Sequence, residues 1–127
     1  MNKKITIDDL YTNTGVFDEE AVLLALKGKI YFTKENEIAF AIDVTKLKAQ
    51  RVILLYVLAK KVLKANQKID DEIITRSEIT NKTGLKDNTV GVTIMRLKNK
   101  KILIPSDSGY KIPAFKVAEA LALLKDN

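Results

Sequence analysis

The chain has 127 residues, of which 46% are hydrophobic and 30% charged, a balance that is typical of one folded globular domain and excludes a largely disordered chain. Cysteine and histidine are both absent, which excludes disulfides and removes the usual catalytic base, the thiol nucleophile and the commonest metal ligands. The net charge of +6 is uneven, because residues 1–44 carry 5 basic and 8 acidic side chains whereas residues 45–127 carry 17 basic and 8 acidic ones. This excess favours a polyanionic partner, and a lysine-rich solvated surface is the alternative interpretation.

The N-terminal sequence, MNKKITIDDLYTNTG, has no apolar stretch behind its two lysines and so does not resemble a signal peptide. The longest unbroken apolar run, Val52 to Ala59, has eight residues, whereas a helix needs about 20 to span a bilayer. We therefore expect no membrane segment and no membrane partner. The absence of cysteine fits a reducing compartment, so the cytoplasm is the expected location.

Residues 1–44 are predicted to form an extension that contains one helix and one β-hairpin packed on the core. The helix should begin after Asp18, a good N-terminal cap, and end near Lys27, because Gly28 favours a stop. The sequence that follows, KIYFTKENEIAFAID, alternates apolar and polar residues on both sides of a polar turn. That pattern predicts two short strands.

The longest predicted helix runs from about Thr45 to Ala65 and contains the apolar run. Eight consecutive apolar residues cover every direction around a helix, so Val52–Ala59 must be buried on more than one side. The helices that follow can cover one side. The other side is covered either by the N-terminal hairpin of the same chain or by a second subunit, and the pattern leaves both alternatives open.

A short helix, a tight turn and a second helix are predicted next. Ser77 can cap the short helix, EITNKT, and Gly84 ends it. Asp87 can cap the second helix, which extends from Asn88 to about Lys100. A glycine at the turn lets the second helix project from the body of the protein.

The second of these helices has one apolar and one polar face. Its buried stripe is predicted to consist of Val90, Ile94 and Leu97. The opposite face holds Asn88, Val92, Met95 and Asn99, with Thr89 and Arg96 beside it. Asparagine can pair with adenine, arginine with guanine, and methyl groups can meet the methyl of thymine. The lysines near the helix ends, where phosphates would pass, are Lys86, Lys98, Lys100 and Lys101.

A second hairpin and a terminal helix complete the chain. The sequence ILIPSDSGYKI predicts strands at Ile102–Ile104 and Tyr110–Ile112 around a polar turn. A final helix is predicted to begin at Pro113. Its two apolar stripes are formed by Val117, Leu121 and Leu124 and by Phe115, Ala118 and Ala122. Two apolar stripes on one terminal helix favour a partner surface, and we expect a homodimer.

Residues Arg76–Ile112, RSEITNKTGLKDNTVGVTIMRLKNKKILIPSDSGYKI, resemble the winged helix-turn-helix domains of archaeal and bacterial transcription regulators. The resemblance rests on the small residue and Leu at the turn, on Thr89-Val90 opening the second helix, and on Leu97 followed by Ile102-Leu103-Ile104. It implies a mainly α fold with small β (α+β), in which the second helix enters the major groove. The residues that it implies to face the groove are Lys86, Asn88, Thr89, Val92 and Arg96, with Lys111 as the phosphate contact of the wing.

The sequence differs from this family in two places. Gly91 and Val92 stand where family members often carry Ser and Arg. Gly91 costs roughly 1 kcal/mol of helix propensity relative to Ala, so we expect close packing or close approach of a backbone at this position. The turn of the wing, Ser106–Gly109, contains one acidic and no basic residue.

Our interpretation of the sequence is a homodimeric winged-helix protein that binds double-stranded DNA as a transcriptional regulator or accessory factor, with residues 45–127 as the winged-helix domain. The predicted DNA-binding residues are Lys86, Asn88, Thr89, Val92, Arg96, Asn99, Lys100, Lys101 and Lys111. The alternative is a protein-interaction adaptor of the same fold, with Val92 and Met95 as its contacts. The acidic pairs lie beside helix starts or turns and no Gly-rich phosphate loop is present, so we expect no enzyme, no cofactor and no bound metal.

Overall fold

Helices dominate the computed structural model, which describes residues 16–125. The described elements are, in chain order, α1 (Glu19–Leu26), β1 (Ile30–Phe32), β2 (Ile38–Phe40), α2 (Ala49–Ala65), α3 (Arg76–Thr83), α4 (Asp87–Asn99), β3 (Ile104–Ser106), β4 (Gly109–Lys111) and α5 (Val117–Lys125). Short 3-10 turns precede α2 and α5, at Val44–Lys46 and Ala114–Lys116. The strands form two separate antiparallel hairpins, β1–β2 and β3–β4. This content agrees with the expected class, α+β with mainly helices and little sheet.

Helix α2 forms the centre of the hydrophobic core. Every residue from Val52 to Ala59 is at most 3% exposed, and α1, α3, α4, α5 and β2 all pack against this helix. The expectation that the apolar run is covered on more than one side is therefore confirmed. The cover comes from the same chain, so the burial of this run does not require a second subunit.

Helix α2 begins at Ala49, four residues later than the sequence predicts. Asp43 caps a separate 3-10 turn instead, because its carboxylate accepts hydrogen bonds from the backbone N and the Oγ1 of Thr45, at 3.0 and 2.6 Å. Leu47 and Lys48 then adopt extended backbone conformations, which separate the turn from the helix. Lys48 is therefore left exposed at the N-terminal end of α2.

The N-terminal part of the described chain packs on the same core. Asp18 caps α1, as predicted, by accepting a hydrogen bond from the backbone N of Ala21 at 3.0 Å. Gly28 follows the helix with a φ of +80°. Val22 and Leu26 of α1 are buried in one cluster with the apolar residues of α2. The predicted hairpin is also confirmed, since β1 and β2 pair in antiparallel register.

Two helix starts differ from the prediction. The cap of α3 is Thr75, whose Oγ1 accepts a hydrogen bond from the backbone N of Glu78 at 3.0 Å. Ser77, the predicted cap, lies inside the helix. Asp87, the predicted cap of α4, is the first residue of that helix. Its carboxylate binds Arg76 of α3 and so does not cap its own helix.

The turn between α3 and α4 agrees with the prediction. Gly84 ends α3 in the left-handed conformation, with a φ of +75°. Val90, Ile94 and Leu97 of α4 are each at most 3% exposed, so the predicted buried stripe is confirmed. This stripe faces the core, and the opposite face of α4 therefore points away from it.

The second hairpin is displaced from its predicted strands. The first strand starts two residues later than predicted, because Ile102 and Leu103 are buried in the core as the chain leaves α4. Their backbone N atoms both donate to the carbonyl oxygen of Leu97, at 3.0 and 3.2 Å. The second strand starts one residue earlier than predicted, at Gly109.

Ile74, just ahead of α3, adds an isolated bridge to this hairpin. Its backbone N donates to the carbonyl oxygen of Tyr110, and its carbonyl oxygen accepts from the N of Tyr110, both at 2.8 Å. A Cβ atom at Gly109 would overlap that carbonyl oxygen of Ile74. Glycine therefore permits the close approach of the two backbones.

The terminal helix α5 follows a 3-10 turn that replaces its predicted first turn. Val117 and Leu124 are buried, as predicted, whereas Leu121 is only half-buried and Ala120 takes the third buried position. The second predicted stripe is exposed, and the side chain of Phe115 is 60% exposed. Apolar surface on this helix is therefore left uncovered by residues 16–125.

Candidate nucleic-acid interface

The outer face of α4 presents a row of exposed side chains. The row consists of Asn88, Val92, Met95 and Asn99, which are spaced three or four residues apart. Val92 is 52% exposed and Met95 is 48% exposed. The face that the sequence predicts to point outward does so, and we refer to these four residues as the outer row.

One side of the outer row borders a groove of about 660 Å³ between α4 and the N-terminal end of α2. The predicted site residues that line it from α4 are Asn88, Thr89, Val92 and Arg96. Lys48, the residue before α2, and Gln50, in the first turn of α2, line its other side, and neither is among the predicted site residues. Because the sequence predicts that this helix begins at about Thr45, both residues are expected inside it and not at its N-terminal end.

The other side of the outer row lies next to Arg76, the first residue of α3. Its guanidinium donates two hydrogen bonds to Asp87, from Nε to Oδ1 at 3.0 Å and from Nη2 to Oδ2 at 2.8 Å. Thr80 Oγ1 donates to the same carboxylate at 3.2 Å. The hydrogen bonds from Arg76 lower the pKa of Asp87 below its usual range, so this carboxylate stays ionised.

Gly91 allows Arg76 to lie against α4. A Cβ atom at Gly91 would come within 2.6 Å of the Cζ and Nη1 atoms of the guanidinium. The close packing expected at this glycine is therefore confirmed, and the neighbour is a side chain rather than a backbone. Arg76 is absent from the predicted site residues, and the glycine in the middle of α4 is the sequence signal that pointed to a close neighbour.

The remaining predicted residues lie outside the groove. Exposed positions at the ends of α4 are occupied by Lys86, Asn99, Lys100 and Lys101. Lys111 is half-buried on β4, opposite Ile104 of β3, and does not line the groove. The structure thus brings together four of the nine predicted residues in one groove and leaves the other five outside it.

The surface around α4 is strongly basic. From Lys86 to Lys101 the chain carries five basic side chains and one acidic side chain, that of Asp87. The charge of Asp87 is balanced by Arg76. An anionic partner would therefore meet a net positive surface on this face of the protein.

A polar network fixes the start of α3 to α2. Glu78 accepts a hydrogen bond from the hydroxyl of Tyr56, and each of its carboxylate oxygens lies 2.9 Å from Lys60 Nζ. Lys60 also donates to the carbonyl oxygen of Ile73 at 2.6 Å. Burial, and then the hydrogen bond and charge of Glu78, raise the pKa of Tyr56 above its usual range. These contacts hold α3, and with it Arg76, in a defined position.

Within residues 16–125, no group of three or more acidic side chains is arranged to hold a metal ion. None of the helices in the described part of the chain is long and apolar enough to cross a membrane. No protein-family model, curated protein or solved structure matches the chain. Its function is therefore inferred from the geometry and charge of α4 and its surroundings.

Proposed function

We propose that the chain is a winged-helix protein that binds double-stranded DNA, with α4 in the major groove and the β3–β4 hairpin as the wing. The observation that carries this proposal is the exposed outer row beside a basic flank, formed by Arg96 and Lys48, with the Arg76–Asp87 ion pair on the other flank. A helix in the major groove lies between two sugar-phosphate backbones, so positive charge beside its base-reading face can contact phosphates. This arrangement supports a role as a transcriptional regulator or an accessory DNA-binding factor.

The side chains of α4 supply suitable chemistry for base edges. Asn88 can form a bidentate pair with adenine, and Arg96 can form one with guanine. Thr89 and Val92 offer methyl groups to the methyl of thymine. The basic residues at the helix ends can contact phosphates, which position a protein on the duplex without reading its sequence.

Fluorescence anisotropy of a labelled random duplex tests this proposal. A duplex of roughly 30 base pairs is long enough for two half-sites one helical turn apart. We expect affinity to fall from low to physiological salt with a log–log slope of several units, because each phosphate contact contributes about 0.9 to the slope. Absence of binding at low salt contradicts the proposal.

Two variants separate the outer face of α4 from a general charge effect. Asn88→Ala combined with Arg96→Ala removes two exposed side chains, so the fold should persist while duplex affinity falls. On a random duplex Arg96 serves as a flanking cation at a phosphate, so the salt slope should decrease by about 0.9. Lys34→Ala, on the β1–β2 turn, removes one exposed charge from another surface and should leave both quantities unchanged. A folded double variant with full affinity and an unchanged slope contradicts reading by α4.

We further propose that the protein acts as a homodimer through the surface around Phe115. The exposed ring of Phe115 borders an apolar groove that it shares with Phe17, Ala118 and Ala122. A two-fold-related copy can place its own Phe115 in this groove, which gives a self-complementary contact. Two α4 helices about 34 Å apart would meet successive major grooves and favour a roughly palindromic site.

Light scattering at micromolar protein concentration tests the dimer. We expect a dimeric mass for the wild-type chain and a monomeric mass for Phe115→Ser. Tyr31→Ser is the control, because the ring of Tyr31 is 56% exposed on β1 and does not line the groove. A monomeric wild-type chain contradicts the dimer and leaves the proposal of DNA binding intact.

The exposure of Val92 and Met95 favours a second candidate function, an adaptor that binds another protein through α4. Apolar side chains at the centre of a surface, with a polar rim, are typical of protein interfaces. In that case the duplex does not bind even at low salt. Val92→Glu then abolishes capture of a protein partner, whereas Lys34→Ala preserves it.

A further inference from the structure

A pocket of about 430 Å³ lies between α1, α2 and α5 and shares no lining residue with the groove beside α4. Much of its wall is apolar and is formed by Leu24, Ala25, Leu55 and Leu121. Pockets that hold small organic molecules have volumes of about 300–1,000 Å³ and mostly apolar walls with a few polar groups. The pocket has the size and the lining of a ligand site.

The charged groups that line this pocket from the described part of the chain all have the same sign. Lys29, Arg51 and Lys125 line it, and none of its described lining residues is acidic. Lys29 Nζ donates a hydrogen bond to the carbonyl oxygen of Ala25, another lining residue, at 3.2 Å, which holds this ammonium at the pocket wall. A lysine ammonium has three donors, so Lys29 can also donate to a ligand oxygen.

We propose that this pocket binds a small organic acid, with its apolar body against Leu24, Leu55 and Leu121 and its carboxylate at Lys29 and Lys125. The apolar walls favour a ligand with several methylene groups or a ring, because burial of apolar surface drives binding. The ammonium groups select an anion, because a cation of the same shape would meet like charges. This binding does not depend on the proposed contact with DNA, whereas Leu121 and Lys125 also line the Phe115 groove, so the ligand and a second copy of the chain would contact adjoining surfaces.

Isothermal titration calorimetry of the full chain with octanoate tests the ligand class. We expect octanoate to bind and heptyltrimethylammonium, with the same alkyl chain and the opposite charge, not to bind. Butyrate should bind on the order of 100-fold more weakly, because it lacks four methylene groups. Equal binding of the anion and the cation overturns the proposal, and so does an absence of octanoate binding.

Variants on α1 and just after it locate the site. Leu24→Ser removes an apolar wall residue that is 66% exposed, and Lys29→Met removes one ammonium, so each should weaken octanoate binding by roughly tenfold without loss of the fold. The matched controls are Leu23→Ser and Lys27→Met, exposed neighbours that do not line the pocket. Circular dichroism confirms that all four variants are folded.

The controls also decide between a ligand and a second copy of the chain. If Leu23→Ser and Lys27→Met weaken octanoate binding as much as the variants in the pocket, binding is not local to the pocket and the proposal is overturned. If octanoate does not bind and Leu24→Ser converts a dimer into a monomer, the surface belongs to a subunit interface and the proposal is likewise overturned. Selective weakening by Leu24→Ser and Lys29→Met supports it.

Discussion

The guanidinium of Arg76 occupies the space that a side chain at Gly91 would fill, so a residue of α3 completes the surface of α4. Asp87, one turn before Gly91 on the same helix, holds the guanidinium with two hydrogen bonds. The position of Arg76 therefore depends on the missing side chain at residue 91 and on the carboxylate of residue 87.

Gly91→Ala should preserve the fold and displace Arg76. The atoms that the new methyl group meets belong to the end of a flexible side chain, so they can move away. Alanine also improves the helix propensity by up to about 1 kcal/mol, and we expect the free energy of unfolding in urea to stay equal or rise by that amount. The pKa of Asp87, measured by NMR titration, should rise towards its ordinary value because the hydrogen bonds from Arg76 are lost. A destabilised variant with an unchanged Asp87 pKa contradicts this account.

Gly109→Ala should have the opposite effect on stability. Here the added methyl group would overlap the carbonyl oxygen of Ile74, which is backbone and is held in a bridge with Tyr110. The backbones of Gly109 and Ile74 must separate to admit it, so we expect a loss of about 2–3 kcal/mol in the free energy of unfolding, as for an overpacked core. Ser108→Ala, at an exposed neighbouring position, should unfold at the wild-type urea concentration. Equal stability of both variants contradicts the close approach of the backbones.

Local sequence patterns predict most of the elements correctly because their causes lie within a turn or two of the chain. Asp18 caps α1 through a residue three positions away, and Gly84 stops α3 by its own backbone conformation. The spacing of Val90, Ile94 and Leu97 predicts which face of α4 is buried, because that spacing follows from helix geometry alone. The exposed outer row, the part of the site that depends on the same geometry, is predicted for the same reason.

The errors of prediction come from contacts between residues distant in the chain. The sequence predicts Asp87 as a cap, but Arg76, eleven residues earlier, binds its carboxylate. It predicts Ile102 and Leu103 as strand, but the core needs their side chains as the chain leaves α4. Lys48 reaches the candidate interface only because the packing of α2 against α4 brings the two helices together. The spacing of residues within one helix or strand does not predict such contacts between different elements.

Tyr56 should make the stability of the protein sensitive to alkali. Its folded-state pKa is raised above the ordinary value of about 10, so the neutral phenol stabilises the fold fully below about pH 10 and this contribution is lost as the pH rises further. Tyr56→Phe removes the hydrogen bond to Glu78 and should cost about 1–2 kcal/mol at neutral pH. Urea unfolding at increasing pH should then show a steeper alkaline loss for the wild type than for the variant. Parallel losses would show that the phenol is not the responsible group.

Lys61 and Glu72 form a buried ion pair. Replacement of Lys61 and replacement of Glu72 should lower the free energy of unfolding by different amounts. Their charged atoms lie 2.7 Å apart, and the side chains are 5% and 19% exposed, respectively. Glu72→Met leaves the ammonium of Lys61, the less exposed charge, without its partner and should lower the free energy of unfolding by about 3 kcal/mol. Lys61→Met should lower it less, because water reaches the carboxylate that remains. The double variant should be more stable than the sum of the two losses predicts. Glu119→Met, in an exposed pair with Lys116, is the control and should change the free energy of unfolding in urea little.

Asp87→Asn should strengthen duplex binding, provided that the wild-type protein binds DNA. Asp87 is the one acidic residue between Lys86 and Lys101, and its charge balances that of Arg76. Asparagine keeps the size of the side chain and can still accept a hydrogen bond, but it releases the charge of the guanidinium for a phosphate. Anisotropy at low salt should therefore show tighter binding and a salt slope that is steeper by about 0.9.

Arg76→Gln provides the matching test, because it removes the guanidinium and leaves Asp87 charged. This variant should bind the duplex more weakly than the wild type. Combined with Asp87→Asn, it should cancel the gain in duplex affinity that Asp87→Asn gives alone, because that gain acts through Arg76. Suppose that the wild-type protein binds the duplex with a salt slope of several units and that Asp87→Asn leaves this slope unchanged. Arg76 then does not reach a phosphate. The flank of α4 beside Gly91 would then lie outside the interface, and the contact with DNA would rest on the groove formed with Lys48 and Arg96.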